Sequence, residues 1–205
     1  MTTHVESDKY QGLLREKGGT GFPYLVFLDA DGEVLARAGE RSVEGFQKVR
    51  GAISAYQALE QKAAKGDKTV GADLLIAGIE MGKLKFADAK EAAGKLGKVS
   101  AEKQKQIDAL VFNLEVQDAM SSVRSQEAMI EVGKKFATMM EEGKAPTGSA
   151  ARQFYSAILA AKEAEADAKG FEKAMNAMKK AAGDTPANKR MFESLDARLA
   201  KLKKS

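Results

Sequence analysis

Hydrophobic residues follow two different patterns along this chain, and the change comes near residue 66. Before that point, residues 24–28 form a short apolar run rich in β-branched and aromatic side chains, and Glu-Val-Leu-Ala-Arg at 33–37 is a second strand-like run. The Asp-Ala-Asp-Gly sequence at 29–32 is typical of a turn, with glycine where a positive φ is useful. These patterns predict a β-hairpin.

Helices are predicted on both sides of the hairpin. Ser7 or Asp8 can cap a short helix that runs to residue 17 and stops at two glycines. Ser42 can cap a longer helix over 42–64, because apolar residues recur there at helical spacing. Those residues are Phe46, Val49, Ile53, Tyr56 and Leu59. The predicted order is helix, strand, strand, helix.

The rest of the chain has a helix-forming composition dominated by Ala, Lys, Glu, Met and Leu. The predicted helices are 69–83, 86–96, 100–121, 125–142, 149–168, 171–182 and 185–203. The fold class is therefore α+β and mostly α, with an all-α helical-hairpin repeat or bundle after the hairpin unit. We expect two domains, 1–66 and 67–205.

The helical region contains an internal similarity when it is shifted by 85 residues. Phe86 aligns with Phe171, Ala89 with Ala174, and Ser100 with Thr185. A loop signal at 143–148, rich in Gly and Pro, divides the region into candidate halves 67–143 and 147–205. Duplication is favoured, and chance agreement between Ala- and Leu-rich helices is the alternative.

The absence of cysteine removes several kinds of chemistry. The chain can form no disulfide, thiolate nucleophile or cysteine zinc site, and its single histidine, His4, cannot build a triad or a histidine metal site alone. The Asp-x-Asp-Gly sequence at 29–32 lacks the later ligands of a calcium loop, so a hairpin turn explains it better. We therefore predict no catalytic, cofactor-binding or metal-ligating residues.

Positive charge is concentrated at the end of the chain. Residues 1–66 carry nine Lys or Arg and nine Asp or Glu, whereas residues 189–205 carry six basic and two acidic residues. The basic segment lacks interleaved aromatic residues, so a solvated helix face is favoured over a nucleic-acid or membrane contact. No run of about eighteen apolar residues predicts a transmembrane helix, and the N-terminus has no apolar core of a signal peptide.

Residues 21–32, Gly-Phe-Pro-Tyr-Leu-Val-Phe-Leu-Asp-Ala-Asp-Gly, resemble the thioredoxin family. The resemblance covers about residues 3–62, and it implies a cis peptide bond before Pro23, two antiparallel strands and a closing helix. It also implies a peptide-binding role for Phe22, Pro23 and Tyr24, because the backbone beside that proline pairs with extended substrates in the family. A strand-entry proline with only a structural role is the equal alternative.

The sequence departs from the family in lacking the half that carries Cys-x-x-Cys. A lone hairpin leaves an open edge and an unpacked face, so something should cover it. An upstream segment missing from this sequence is favoured, and packing by the helical region or by another chain is the alternative. The helical part resembles tetratricopeptide-like repeats more weakly, with one helix pair over 74–96.

Three functions are compatible with these observations. The first is a non-catalytic protein-interaction or scaffold module with a degenerate thioredoxin-like cap, in the cytoplasm, binding a protein or peptide partner. The alternative is the C-terminal portion of a thiol-disulfide oxidoreductase whose cysteines lie upstream, which would make a periplasmic or secreted location compatible with the sequence. The third is an oligomer that completes its sheet through the open edge.

Overall fold

The computed structural model describes residues 12–38, 41–183 and 185–204. It confirms a mostly helical α+β chain with a two-stranded antiparallel sheet. The elements are α1 (Leu13–Glu16), β1 (Val26–Leu28), β2 (Val34–Arg37), α2 (Val43–Ala64), a 3₁₀ helix (Lys68–Val70), α3 (Gly71–Glu80), α4 (Phe86–Gly94), α5 (Ala101–Ser121), α6 (Gln126–Glu141), α7 (Gly148–Ala164), α8 (Ala168–Ala182) and α9 (Pro186–Leu202). His4, Ser7 and Asp8 lie outside the described residues.

The described residues form two compact units, one up to Leu84 and one from Lys85 onward. The first unit holds the hairpin, α2, the 3₁₀ helix and α3, which packs on α2. The predicted division at residues 66 and 67 falls inside this unit. It stays a prediction, as do the two halves of the helical region, because compactness alone does not test which segments fold independently.

In the first unit, α2 covers one face of the hairpin. The Phe27 ring on β1 lies 6.2 Å from the Phe46 ring on α2, and Ala36, directly opposite Phe27 in the sheet, is buried. The predicted turn is present, with Gly32 at a φ of 81° and its N–H donating to the Asp29 carbonyl at 3.2 Å. The strands are shorter than predicted and carry an irregularity between Phe27 and Leu28.

Most helix starts agree with the predicted caps, because a cap is made by contacts within three residues. Side-chain oxygens accept a hydrogen bond from the backbone N–H three positions later at Ser42, Ser100, Ser125 and Thr185. The predicted end of α7 at residue 168 is wrong. Ala166 takes a φ of 52°, and Asp167 caps α8 by accepting from the Gly170 N–H at 2.8 Å, so Ala168 begins α8.

The core of the second unit centres on α7. Phe154 is fully buried and stacks on Phe136 of α6 at 4.9 Å between ring centroids, while Phe112 of α5 meets it edge-on at 5.8 Å. Phe171 of α8 is also fully buried in this cluster. Phe136 belongs to an apolar stripe on α6 that faces this core. Its other members, which pack against the cluster, are Met129, Val132, Met139 and Met140.

Helices α6 and α7 approach so closely that Gly133 has no room for a side chain. A Cβ built there would lie 2.7 Å from the carbonyl carbon of Ala157 and 2.9 Å from the Cβ of Ala161. Both distances are well inside ordinary van der Waals contact. The tight approach brings the rings of Phe136 and Phe154 into stacking distance.

None of the helices in the described ranges is both long enough and apolar enough to cross a lipid bilayer.

Candidate functional site

The outer edge of β1 is the first candidate binding surface. Within the described ranges, β1 pairs only with β2, with Val26 opposite Arg37 and Phe27 opposite Ala36. The Ala38 N–H donates to the Leu25 carbonyl at 3.0 Å. Because hydrogen-bonded and non-hydrogen-bonded pairs alternate in an antiparallel ladder, the Val26 N–H and C=O are directed away from β2. They face the side on which another strand would pair.

The same edge is apolar and uncharged. Residues 24–28 are Tyr-Leu-Val-Phe-Leu, and the side chains of Leu25 and Leu28 are 39% and 44% exposed. Phe22, just ahead of the strand, is 88% exposed. Edge strands of monomeric proteins usually carry charges, prolines or bulges that prevent pairing with other chains. The strand irregularity between Phe27 and Leu28 lies at the far end of β1, and the segment around Val26 has neither a charge nor a proline.

The three residues predicted to bind peptides have different environments. The bond between Phe22 and Pro23 is cis, which confirms that part of the prediction, and both side chains are exposed. Tyr24 is half-buried, and its hydroxyl donates to the Lys17 carbonyl at 2.6 Å beyond α1. Phe22 is therefore free to contact a ligand, while Tyr24 anchors the chain that leads into β1. Their role in peptide binding stays a prediction.

Arg37 stabilises this entry to the strand and was not singled out from the sequence. Its Nε donates to the Tyr24 hydroxyl at 3.1 Å, and its guanidinium carbon lies 4.9 Å from the centre of the Tyr24 ring. A second nitrogen donates to the Gly18 carbonyl. The sequence did contain a signal for this contact. In the predicted hairpin, Arg37 lies opposite the start of β1 and on the same face as Tyr24.

The carboxylates of the hairpin turn have structural roles. One Asp29 oxygen accepts hydrogen bonds from the Asp31 N–H at 3.0 Å and the Glu33 N–H at 2.8 Å. Asp29 thus organises the turn, as the sequence predicted. In the ranges that the structure covers, no three His, Asp or Glu side chains cluster closely enough to hold a metal ion.

Two open grooves lie between helices. One, of about 500 Å³, lies between α2 and α3 and is lined mainly by small and apolar side chains, with Lys48 and Glu80 among them. The other, of about 530 Å³, lies between α4 and α5, with Phe112 in its lining and charges at Lys90, Asp108 and Glu115. Both grooves combine apolar side chains with charges of both signs.

No protein-family model, curated protein or solved structure matches this chain.

Proposed function

We propose that the protein is a non-catalytic protein-interaction module that binds an extended segment of a partner along the outer edge of β1. The observation that carries the proposal is the outward direction of the Val26 N–H and C=O on an uncharged edge strand. An added strand satisfies these groups with main-chain hydrogen bonds. Affinity in such complexes comes from the main chain, and specificity comes from contacts with alternate side chains.

The surroundings of the edge support an apolar partner. Phe22 projects into solvent beside the start of the strand, and Leu25 and Leu28 expose apolar surface on its two faces. An extended peptide lying against Val26 would cover parts of all three side chains. Removing this surface from water would add to the main-chain hydrogen bonds.

The residue types of the chain support a non-catalytic role. The sequence has no cysteine and only one histidine, so neither thiol chemistry nor a histidine-based triad is available to it. Binding a partner requires no such residues. It requires an accessible surface with directed hydrogen-bonding groups, as at β1.

The test uses peptides selected from a random library displayed on phage, with the immobilised full chain as target. The N–H that Val26→Pro removes points away from β2, so no hydrogen bond of the hairpin ladder is lost while strand addition is blocked. We expect the selected peptides to bind this variant at least about tenfold more weakly. Phe22→Ala is a second variant, and its high exposure means that the fold does not depend on the ring.

Lys98→Pro, in the exposed loop between α4 and α5, is the matched control and should bind like the wild-type chain. Amide exchange by NMR gives the decisive readout, because the Val26 amide should exchange fast in the free protein and slowly in the complex. Peptides that bind without slowing Val26 exchange would refute strand addition. Concentration-dependent dimerisation abolished by Val26→Pro would assign the edge to a second copy.

We also propose that residues 1–66 form a partial thioredoxin-like domain and that residues 67–205 form a tetratricopeptide-like helical array. The order helix, strand, strand, helix, with α2 packed on one face of the hairpin, supports the first assignment. The consecutive packing of α6 on α7 and of α7 on α8 supports the second.

The first assignment keeps the oxidoreductase as the alternative function, with cysteines supplied by a longer natural chain. The intact mass and N-terminal peptide of the protein from its native cells distinguish the two. An extension containing Cys-x-x-Cys would favour the oxidoreductase, and a mass equal to that of this sequence would favour the interaction module.

A further inference from the structure

The last two helices carry the main excess of positive charge. Residues 168–204 contain ten Lys or Arg and four Asp or Glu, an excess of six, whereas the whole chain has a formal charge of +4. The remainder of the chain is therefore slightly acidic. Such a local excess creates a positive field that attracts anionic partners and repels cationic ones.

Three lysines of α8 form a stripe on its solvent-facing side. Lys169, Lys173 and Lys180 recur at spacings of four and seven residues, which places them on one face of a helix. All three are exposed, and none forms an ion pair with a described residue. Phe171, which begins the buried face of α8, points to the opposite side, into the core. The stripe extends over about 16 Å at 1.5 Å per residue.

The acidic residues beside this stripe are already paired. Glu172 contacts Lys203 at 3.0 Å, and Asp196 contacts Lys179 at 2.9 Å. The pair Asp196–Lys179 joins α8 to α9, and Glu172–Lys203 joins α8 to the residue that follows α9. The two helices therefore lie side by side, and the negative charge of each carboxylate is balanced by its lysine. Among the described residues of 168–204, the acidic side chain that remains to offset the outward-facing cations is Glu193, which is exposed on α9.

Helix α9 extends the positive surface. Arg190 and Lys201 are exposed, and their spacing of eleven residues places them on one side of α9, away from the buried Leu195 and Leu199. Lys204, in the turn that follows α9, is also exposed. None of these three cations forms an ion pair with a described residue. The α8–α9 basic surface is defined here by Lys169, Lys173, Lys180, Arg190, Lys201 and Lys204.

We propose that the α8–α9 basic surface binds an acidic segment of a partner protein. Charge complementarity selects an anionic partner. The neutral side chains of the surface indicate whether that partner is a protein, a nucleic acid or a membrane. Among the described residues, the exposed neutral positions between the cations are small or polar, such as Asn176, Ser194 and Ala197. They offer neither the aromatic platform on which nucleic-acid bases stack nor large apolar side chains to insert into a membrane. Carboxylates spread over about 16 Å of a peptide match the α8 stripe.

The test measures binding of a fluorescent twelve-residue glutamate-rich peptide to the full chain by fluorescence anisotropy, at low and at physiological salt. Lys169→Gln, Lys173→Gln and Lys180→Gln are combined in one variant. All three side chains are exposed and unpaired, so the fold should be unchanged, which circular dichroism checks. We expect this variant to bind the peptide at least about tenfold more weakly, with the difference shrinking as salt rises.

The matched control combines Lys98→Gln, Lys105→Gln and Lys135→Gln, which are exposed positions elsewhere in the second unit. It removes the same charge and should weaken binding by no more than about twofold. Equal weakening by the two triple variants would overturn the proposal, because binding would then depend on net charge alone. Tighter binding to a single-stranded RNA oligonucleotide or to phosphatidylserine vesicles than to the acidic peptide would overturn it in favour of those partners.

Discussion

Replacing Gly133 by alanine tests the close approach of α6 and α7. The new methyl group would lie 2.7 Å from the carbonyl carbon of Ala157 and 2.9 Å from the Cβ of Ala161, where ordinary contacts begin at about 3.4 Å. The nearest obstacle is backbone, which cannot rotate away as a flexible side chain can. The Ala157 carbonyl oxygen would lie closer still, so the helices must separate by more than the few tenths of an ångström that a tight contact can absorb. The rings of Phe136 and Phe154 must move with them.

Two effects of opposite sign set the magnitude. Alanine is favoured over glycine inside a helix by about 0.5–1 kcal/mol. Overpacking a close contact costs about 1–3 kcal/mol, and backbone obstruction places Gly133→Ala in the upper part of that range. The expected net loss in the free energy of unfolding is about 1–2 kcal/mol. In a unit of this size that corresponds to a fall in Tm of roughly 4–8 °C.

Thermal and urea unfolding followed by circular dichroism measure the change. Gly51→Ala in α2 and Gly94→Ala at the end of α4 are matched controls, because a Cβ at either position meets nothing within 4 Å. We expect Gly51→Ala to raise stability by up to about 1 kcal/mol and Gly94→Ala to leave it unchanged or raised. If Gly133→Ala unfolds at the same temperature as the wild-type chain or above it, the close helix contact does not exist as described.

Two further expectations concern the ends of α8 and the packing of α9. The Nε of Arg198 on α9 donates to Glu163 on α7 at 3.0 Å, and this hydrogen bond lowers the pKa of the Glu163 carboxyl. The pair therefore contributes its full share to the free energy of unfolding above about pH 4.5, and this contribution is lost as pH falls through the lowered pKa. Because the pair is part-exposed, Glu163→Gln should cost at most about 1 kcal/mol at pH 7, and urea titrations should show the difference vanishing in acid. Asp167→Ala should lower stability by about 1 kcal/mol through loss of the α8 cap, whereas Asp167→Asn, which still accepts from the Gly170 N–H, should retain most of it in the same assay. Equal losses for Asp167→Ala and Asp167→Asn would show that the charge matters and the cap does not.

The α7–α8 boundary shows where local sequence signals were insufficient. The run Ala-Glu-Ala-Asp-Ala-Lys at 164–169 favours a continuing helix, and the prediction therefore extended α7 to residue 168. In the structure, Lys162 contacts Glu165 at 2.9 Å and Asp167 at 3.1 Å, and Asp167 caps the next helix. These contacts hold Ala166 at a positive φ that its sequence does not signal.

The candidate site was also only partly visible in the sequence. The hairpin followed from a short motif, because strand patterning and turn chemistry involve neighbouring residues. The exposure of Phe22 came from the structure. The anchoring of Tyr24 by Arg37 joins residues thirteen positions apart in the sequence. The basic surface had a sequence signal in the spacing of Lys169, Lys173 and Lys180, but its extension onto α9 depends on ion pairs between helices.

The sequence alone determined the α+β class, the hairpin, most helix limits and the absence of cysteine from these 205 residues. Helical periodicity, capping and turn preferences arise from contacts within about four residues, so they can be read from the chain directly. The tertiary structure decided which helix faces meet, why Gly133 must be glycine, and that β1 pairs with β2 alone among the described residues. These features depend on contacts between distant residues, and the local pattern of hydrophobic and polar positions does not specify them.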